Sequence, residues 1–177
     1  MIKKYSILLF VTAAILALDQ YTKHLAVEYL KNGRIVDVIN GYFRLLYVEN
    51  PGAAWGFLSQ TASSFRLPFF YIISALAVLL IVYYFHKLSS NAWAMMISLS
   101  LILGGAIGNL VDRIKNNFVV DFIDWYYKNN HWPTFNVADA AITAGVILMI
   151  LAILLEKKGD EAVAAGSESG KAQDQEG

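Results

Sequence analysis

The chain has 177 residues, of which 57% are hydrophobic and only 16% charged, with 14 basic and 14 acidic side chains. Soluble domains run about 45–50% apolar and about 25% charged, so an ordinary soluble globule is excluded, and a net charge of zero leaves no bulk attraction for nucleic acid. There is no Cys, which excludes a thiol nucleophile, thiolate metal ligands and disulfides.

The apolar residues fall in four blocks, each near the roughly 20 residues that a spanning helix needs. The first covers about residues 4–24, KYSILLFVTAAILALDQYTKH. Its apolar core runs into DQYTK and not into a small-residue cleavage site, so a retained span is expected and not a cleaved signal peptide. In the following outer segment, about 25–67, RIVDVINGYFRLLYVEN places β-branched and aromatic runs on both sides of Asn40-Gly41. That pattern predicts a β-hairpin, within a small sheet over about 31–60. NPGAAWGF, residues 50–57, follows as a turn, with Trp55 suited to an interfacial lid or a plain membrane anchor. The second span is expected at about 68–86, opening at Pro68, and the third at about 92–112. Residues 113–133 read as a second outer loop, and the fourth span covers about 134–155.

The fold class expected is an α-helical integral membrane protein, with four transmembrane helices and a small extracytoplasmic β-sheet between helices one and two. Residues 1–156 form one membrane-embedded domain, and residues 157–177 a polar, acidic tail with the composition of a disordered segment. An even number of spans puts both termini on one side. Lys3, Lys4, Lys87, Lys157 and Lys158 flank span ends there, against Lys31, Arg34, Arg44, Arg66, Arg113, Lys115 and Lys128 opposite. Short loops and residues nearest the span ends carry the positive-inside signal, and by that weighting the termini are cytoplasmic.

Polar residues then collect at one depth. Asp19, Gln20 and Lys23 end the first span, Asn109, Asp112 and Arg113 end the third, and Asn136 and Asp139 begin the fourth. Asn50 and Asp121 lie in outer segments near these ends. Ionisable groups at membrane depth usually face a bundle interior, a cavity or one another, so a single polar site under the outer leaflet accounts for them. Each group also has a purely structural reading. Asn136 with Asp139 fits a helix N-cap, Asp19 and Lys23 are an i,i+4 pair, Asp112 and Arg113 fit an interface ion pair, and Gly104, Gly105 and Gly108 fit close helix packing.

The chain contains no HExxH and no GxSxG, and His24, His86 and His131 lack ligand spacing, so neither a metal nor a cofactor is expected. Carboxylates remain. Two of them held close cannot both ionise easily and share a proton near neutral pH. The ionised member draws a proton from water while the protonated one polarises a carbonyl. Asp121 and Asp139 are the candidates, one from an outer segment and the other opening a helix.

The blocks DQYTK (19–23), NPGAAWGF (50–57), GGAIGNLVDRI (104–114), VVDFID (119–124) and FNVADAAI (135–142) resemble, in order and spacing, those of the lipoprotein signal peptidase family, also called signal peptidase II. The resemblance covers essentially everything but the tail. It implies an intramembrane aspartic endopeptidase of the bacterial inner membrane, working near the outer face. Its substrate would be a diacylglyceryl-modified prolipoprotein, cut just before the lipidated Cys. It implies Asp121 and Asp139 as the catalytic pair, with Asp124 outside it. Asp19, Lys23, Asn50, Asn109, Asp112, Arg113 and Asn136 would surround them, with Gly52, Gly105 and Ala138 in the same blocks. It further implies an outer β-cradle, membrane lipid around the protein, and inhibition by the cyclic peptide globomycin. The rival reading is a small ion- or proton-coupled transporter. That would need polar groups continuing inward, where IISALAVLLIVYY and VILMILAILL are nearly bare.

Overall fold

The structure, a computed structural model, describes residues 2–52 and 57–173, so Trp55 lies outside the described residues. Among the described residues eight elements follow in chain order: α1 (Ile2–Leu30), β1 (Val36–Ile39), β2 (Phe43–Asn50), α2 (Ser63–Lys87), α3 (Trp93–Asn116), β3 (Val119–Tyr127), β4 (Asn130–His131) and α4 (Val137–Gln173). Four stretches of the described residues are long and apolar enough to cross a membrane: Lys3–Leu30, Ser63–Lys87, Trp93–Asn116 and Val137–Glu156.

The helix ends differ from the sequence expectation for local reasons. α1 has 29 residues, and at 1.5 Å per residue it extends about 43 Å, more than the roughly 30 Å of a hydrocarbon core. Its surplus C-terminal turns bury Ala26 and Leu30 against Val120 and Phe122 of β3. α2 begins at Ser63, so Pro68 sits in its second turn and does not open the helix. α3 continues to Asn116 and ends where Asn117 takes a left-handed φ of 65° and its N–H returns to the Arg113 carbonyl at 3.1 Å. α4 begins only at Val137, because Phe135 is held extended against Ile123 by N–H···O bonds of 2.9 and 3.1 Å. The backbone of α4 stays helical to Gln173, through the segment expected as a disordered tail.

The expected hairpin turns at residues 40–42, with Gly41 at φ +86°. The sheet does not stop there. Residues 113–133, read as a loop, contain β3 and β4, and the four strands lie in the order β1-β2-β3-β4. β3 pairs antiparallel with β2, from Phe43↔Trp125 to Asn50↔Val119. Apart from its two aspartates VVDFIDWYY is β-branched and aromatic, and β2 would otherwise expose an unpaired edge. Successive side chains alternate faces, so Asp121 and Asp124 leave β3 in opposite directions.

α3 is the central helix and packs on α1, α2 and α4. A Cβ at Gly105 would run into the carbonyl of Ala138 at the start of α4, and one at Gly108 would meet Asp19 Oδ2 at 2.6 Å. These two glycines let three helix backbones converge beside the polar residues. Toward the opposite end, Ile81, Phe85, Met96, Leu99 and Leu103 join α2 to α3. Large side chains such as Phe10 (76% exposed) and Leu79 (66%) face outward from α1 and α2, where only lipid is a favourable solvent. Lys4 reaches the other way and donates to the carbonyls of His86 (2.9 Å) and Leu88 (2.8 Å), closing the C-terminal end of α2.

Gly105→Ala would force α3 away from α4, at a cost on the order of 1–3 kcal/mol for an overpacked contact. A lowered thermal midpoint in detergent is expected, and an unchanged midpoint would show that the two helices separate freely.

Candidate active site

Asn136, immediately before α4, is buried and touches both acids singled out from the sequence. Its Nδ2 donates to Asp121 Oδ1 at 2.6 Å, and its backbone N–H donates to Asp139 Oδ2 at 3.2 Å. In return its Oδ1 accepts from the Asp139 backbone N–H at 3.0 Å. The capping reading and the site reading are therefore the same arrangement: a reciprocal cap whose acid is also a site carboxylate. Two further amides complete the pair. Asn50, ending β2, donates to Asp121 Oδ2 at 2.8 Å, and Asn109 of α3 donates to Asp139 Oδ1 at 2.8 Å.

Lys23 fixes which way Asn109 points. Its ammonium is buried, and it lies 2.9 Å from Asp19 Oδ2, 3.0 Å from Asp112 Oδ2 and 2.9 Å from Asn109 Oδ1. With the Asn109 carbonyl held by Lys23, its NH₂ is turned toward Asp139. Asp19 Oδ1 accepts from the Ala138 N–H at 2.9 Å, so Asp19 also completes the start of α4. Asp112 Oδ2 accepts from the Val120 N–H at 3.1 Å, which ties α3 to the strand carrying Asp121.

Asp112 and Arg113 do not form the ion pair that was the structural reading of their adjacency. Consecutive helical residues point about 100° apart, and Arg113 turns to the other side. It donates to the Gly52 carbonyl at 2.9 Å and lies 4.2 Å from the centre of the Phe70 ring. Lys23 is held inward by the two neighbouring carboxylates. Gln20, grouped with Asp19 and Lys23 at the polar end of the first span but not counted among the residues around the pair, donates to Asp112 Oδ1 at 2.9 Å and to Asp19 Oδ2 at 3.2 Å. The signal for it was its place beside Asp19 at the polar end of the first span. Asp124 is not brought to the pair. It lies on the other face of β3 with Arg44 and His131.

Asp121 and Asp139 open into one cavity of about 440 Å³. Asn50, Asn109 and Arg113 supply its polar lining, and Trp125, Trp132, Pro133, Phe135 and Ile142 much of its apolar wall. This wall was the least legible part of the site, since aromatic residues on an outer loop read equally well as membrane anchors. Burial, then the charge of Asp139, pushes Asp121 up from an ordinary 3.8 to about 7, against the opposing hydrogen bonds from Asn50 and Asn136 and the charge of Lys23. Among the described residues, no group of three or more His, Asp or Glu side chains has metal-holding geometry. On the opposite half of the helices, buried Ser98 and Ser100 spend their hydroxyls on their own helix, at Ala94 O (2.8 Å) and Met96 O (2.6 Å).

The family model for signal peptidase (SPase) II matches residues 11–155. The lipoprotein signal peptidase of Syntrophotalea carbinolica is 42% identical over 149 residues, covering 84% of this chain and 91% of that one. That of Syntrophus aciditrophicus is 41% identical over 157 residues, covering 88% and 98%. A solved structure described as a bacterial membrane enzyme superposes with a TM-score of 0.74 at 33% identity, over 86% of this chain and 90% of that one. A second of the same description gives 0.70 at 31%.

Two outcomes test the electrostatics. Lys23→Met leaves Asp19 and Asp112 buried without a cation, and breaking such a pair costs about 3–5 kcal/mol. Chemical denaturation in detergent should register a loss of that order, and a loss under about 1 kcal/mol would mean water replaces the ammonium. Asp121 is raised on folding, so its contribution to stability is present below its ordinary pKa and is lost as pH rises toward 7. Asp121→Asn carries no charge at any pH. It should therefore raise the thermal midpoint more at about pH 8 than at about pH 4, and equal shifts at both would contradict the raised pKa.

Proposed function

The chain belongs to the signal peptidase II family, and on that premise we propose that it is an intramembrane aspartic endopeptidase that removes the signal peptide from diacylglyceryl-modified prolipoproteins, cutting before the lipidated Cys. The observation that carries this reading is Asn136 bonded at once to Asp121 and Asp139, both of which line one cavity. The pair titrates as a unit and holds one proton between its two members. The ionised member takes a proton from a water molecule, which attacks the scissile carbonyl. The protonated member donates to the carbonyl oxygen as the tetrahedral intermediate forms, and the proton passes on to the leaving amide nitrogen. Asn50, Asn109 and Asn136 keep both carboxyls in place without adding positive charge that would ionise both.

In this reading residues 1–156 are the peptidase domain and 157–177 an appendage to it. The protein lies in the bacterial inner membrane with both termini cytoplasmic and the aspartate pair near the outer leaflet. The diacylglyceryl group anchors the substrate in that leaflet and delivers its cut site at the depth of the pair. The peptide enters laterally, and the Gly52 segment, held by Arg113, covers it. Globomycin would occupy the same cavity.

The experiment follows signal-peptide release from a diacylglyceryl-modified prolipoprotein by purified protein in detergent. Asp121→Asn and Asp139→Asn should each lose at least about a hundredfold in rate while remaining folded, with Glu28→Gln, on the exposed outer end of α1, as the unaffected control. Cleavage that survives both substitutions would remove the dyad. In wild type the rate should fall as pH rises through about 7, as the shared proton is lost.

A further inference from the structure

Asp124 is a buried acid that the reaction above does not use. It is 2% exposed and lies on the face of β3 away from the aspartate pair. Arg44 Nε of β2 donates to its Oδ2 at 2.7 Å, and His131 Nδ1 of β4 lies 3.0 Å from both of its oxygens. Tyr126 fills the remaining side. It stacks on His131 with centroids 5.3 Å apart, lies 4.8 Å from the Arg44 guanidinium, and reaches Asp37 Oδ1 at 3.3 Å. One carboxylate thus joins β2, β3 and β4.

What this junction holds is the strap running from His131 to Phe135. β4 contributes only two residue pairs, Tyr126↔His131 and Tyr127↔Asn130, too few to stay zipped unaided. The strap is pinned at its far end by the Ile123–Phe135 bridge and near its start by the Trp132 N–H on the Trp125 carbonyl at 2.8 Å. Between the pins, Trp132, Pro133 and Thr134 line the cavity into which Asp121 and Asp139 open. The acids themselves are fixed by Asn50, Asn109 and Asn136 and by the Lys23 cluster on α1 and α3; Asn136 follows Phe135 and so lies beyond the strap's far pin, away from the His131 end.

We propose that Asp124, through His131 and Arg44, is a positioning residue that sets the apolar wall of the substrate cleft. It governs how well the apolar part of the substrate next to the cut is held, and leaves the hydrolytic step alone. This rests on the peptidase reading. Weakening the junction lets the strap swing at its His131 end, so ground-state and transition-state binding fall together while the dyad geometry persists.

The test is steady-state cleavage of a diacylglyceryl-modified prolipoprotein in detergent by wild type, Asp124→Asn and His131→Gln, with Asp121→Asn as a chemistry-deficient reference. Both strap variants should raise KM on the order of tenfold, the size expected from a lost charge-assisted bond, with kcat within about twofold of wild type. Unchanged KM in a folded variant overturns the proposal. So does a fall in kcat at constant KM, which would place Asp124 in the chemistry. If Asp124→Asn does not fold, His131→Gln decides alone, because it keeps the Asp124–Arg44 pair. Failure of wild type to cleave, or undiminished cleavage by Asp121→Asn, would overturn the peptidase reading itself, and that result is read independently of the strap variants.

Discussion

A carboxylate removed from water must find either a cation or several hydrogen-bond donors, and the arrangement around Asn136 follows from that requirement. The chain meets it in two ways within a few ångströms. Asp19 and Asp112 share the buried ammonium of Lys23. Asp121 and Asp139 are given amides: Asn50, Asn109 and Asn136. Amide donors stabilise a carboxylate without supplying a countercharge. Lys23 and Arg113 bring two positive charges to this end of α1 and α3, and Asp19 and Asp112 bring two negative ones. Nothing is left over to ionise the second pair fully, so a shared proton is the economical state, in keeping with the raised pKa of Asp121.

The same bonds also hold the fold together. Asp19 closes the start of α4 through Ala138, Asp112 fastens α3 to β3 through Val120, and Asn136 caps α4 while bonding Asp121. Gly105 and Gly108 are what allow the backbones near enough for these short side chains to reach. The structural readings and the functional ones were therefore never alternatives at Asn136 or Lys23. A polar site inside an apolar bundle has to be built from the groups that also terminate its helices, because every unpaired N–H there is costly.

Much of this was legible in the sequence, for reasons that differ from element to element. The four apolar blocks are fixed by composition, and the Asn40-Gly41 turn by the need for a positive φ. The depth of the polar groups followed from counting residues along each span. What the sequence could not settle depended on partners distant along the chain. VVDFIDWYY became a strand because β2 offered it an edge, and a segment's pairing cannot be read from the segment alone. Arg113 next to Asp112 suggests a pair in one dimension, but helical rotation and the Gly52 carbonyl decide otherwise in three. The aromatic wall was missed because Trp132 and Phe135 acquire their role only when the strap folds back on β3.

The placement of the two acids on different kinds of element has a physical consequence. Asp139 stands in the first turn of a helix that continues into the apolar bundle, whereas Asp121 stands on a strand of the sheet. Hydrolysis within a membrane, as proposed here, must bring together a substrate that arrives through lipid and a water that cannot. A pair drawn wholly from the spans would lie too deep for water, and one drawn wholly from the sheet would lie above the substrate. One carboxyl from each, joined by a single asparagine at the seam, would on that proposal place the shared proton at the depth where both reactants are available. It also explains why the seam is sealed by Lys23, Asp112 and Gln20 on the α1 side while it stays open toward the cavity under Trp132 and Phe135. Water admitted from the α1 side would hydrate the ammonium and both its carboxylates, and Asn109 would no longer be held facing Asp139.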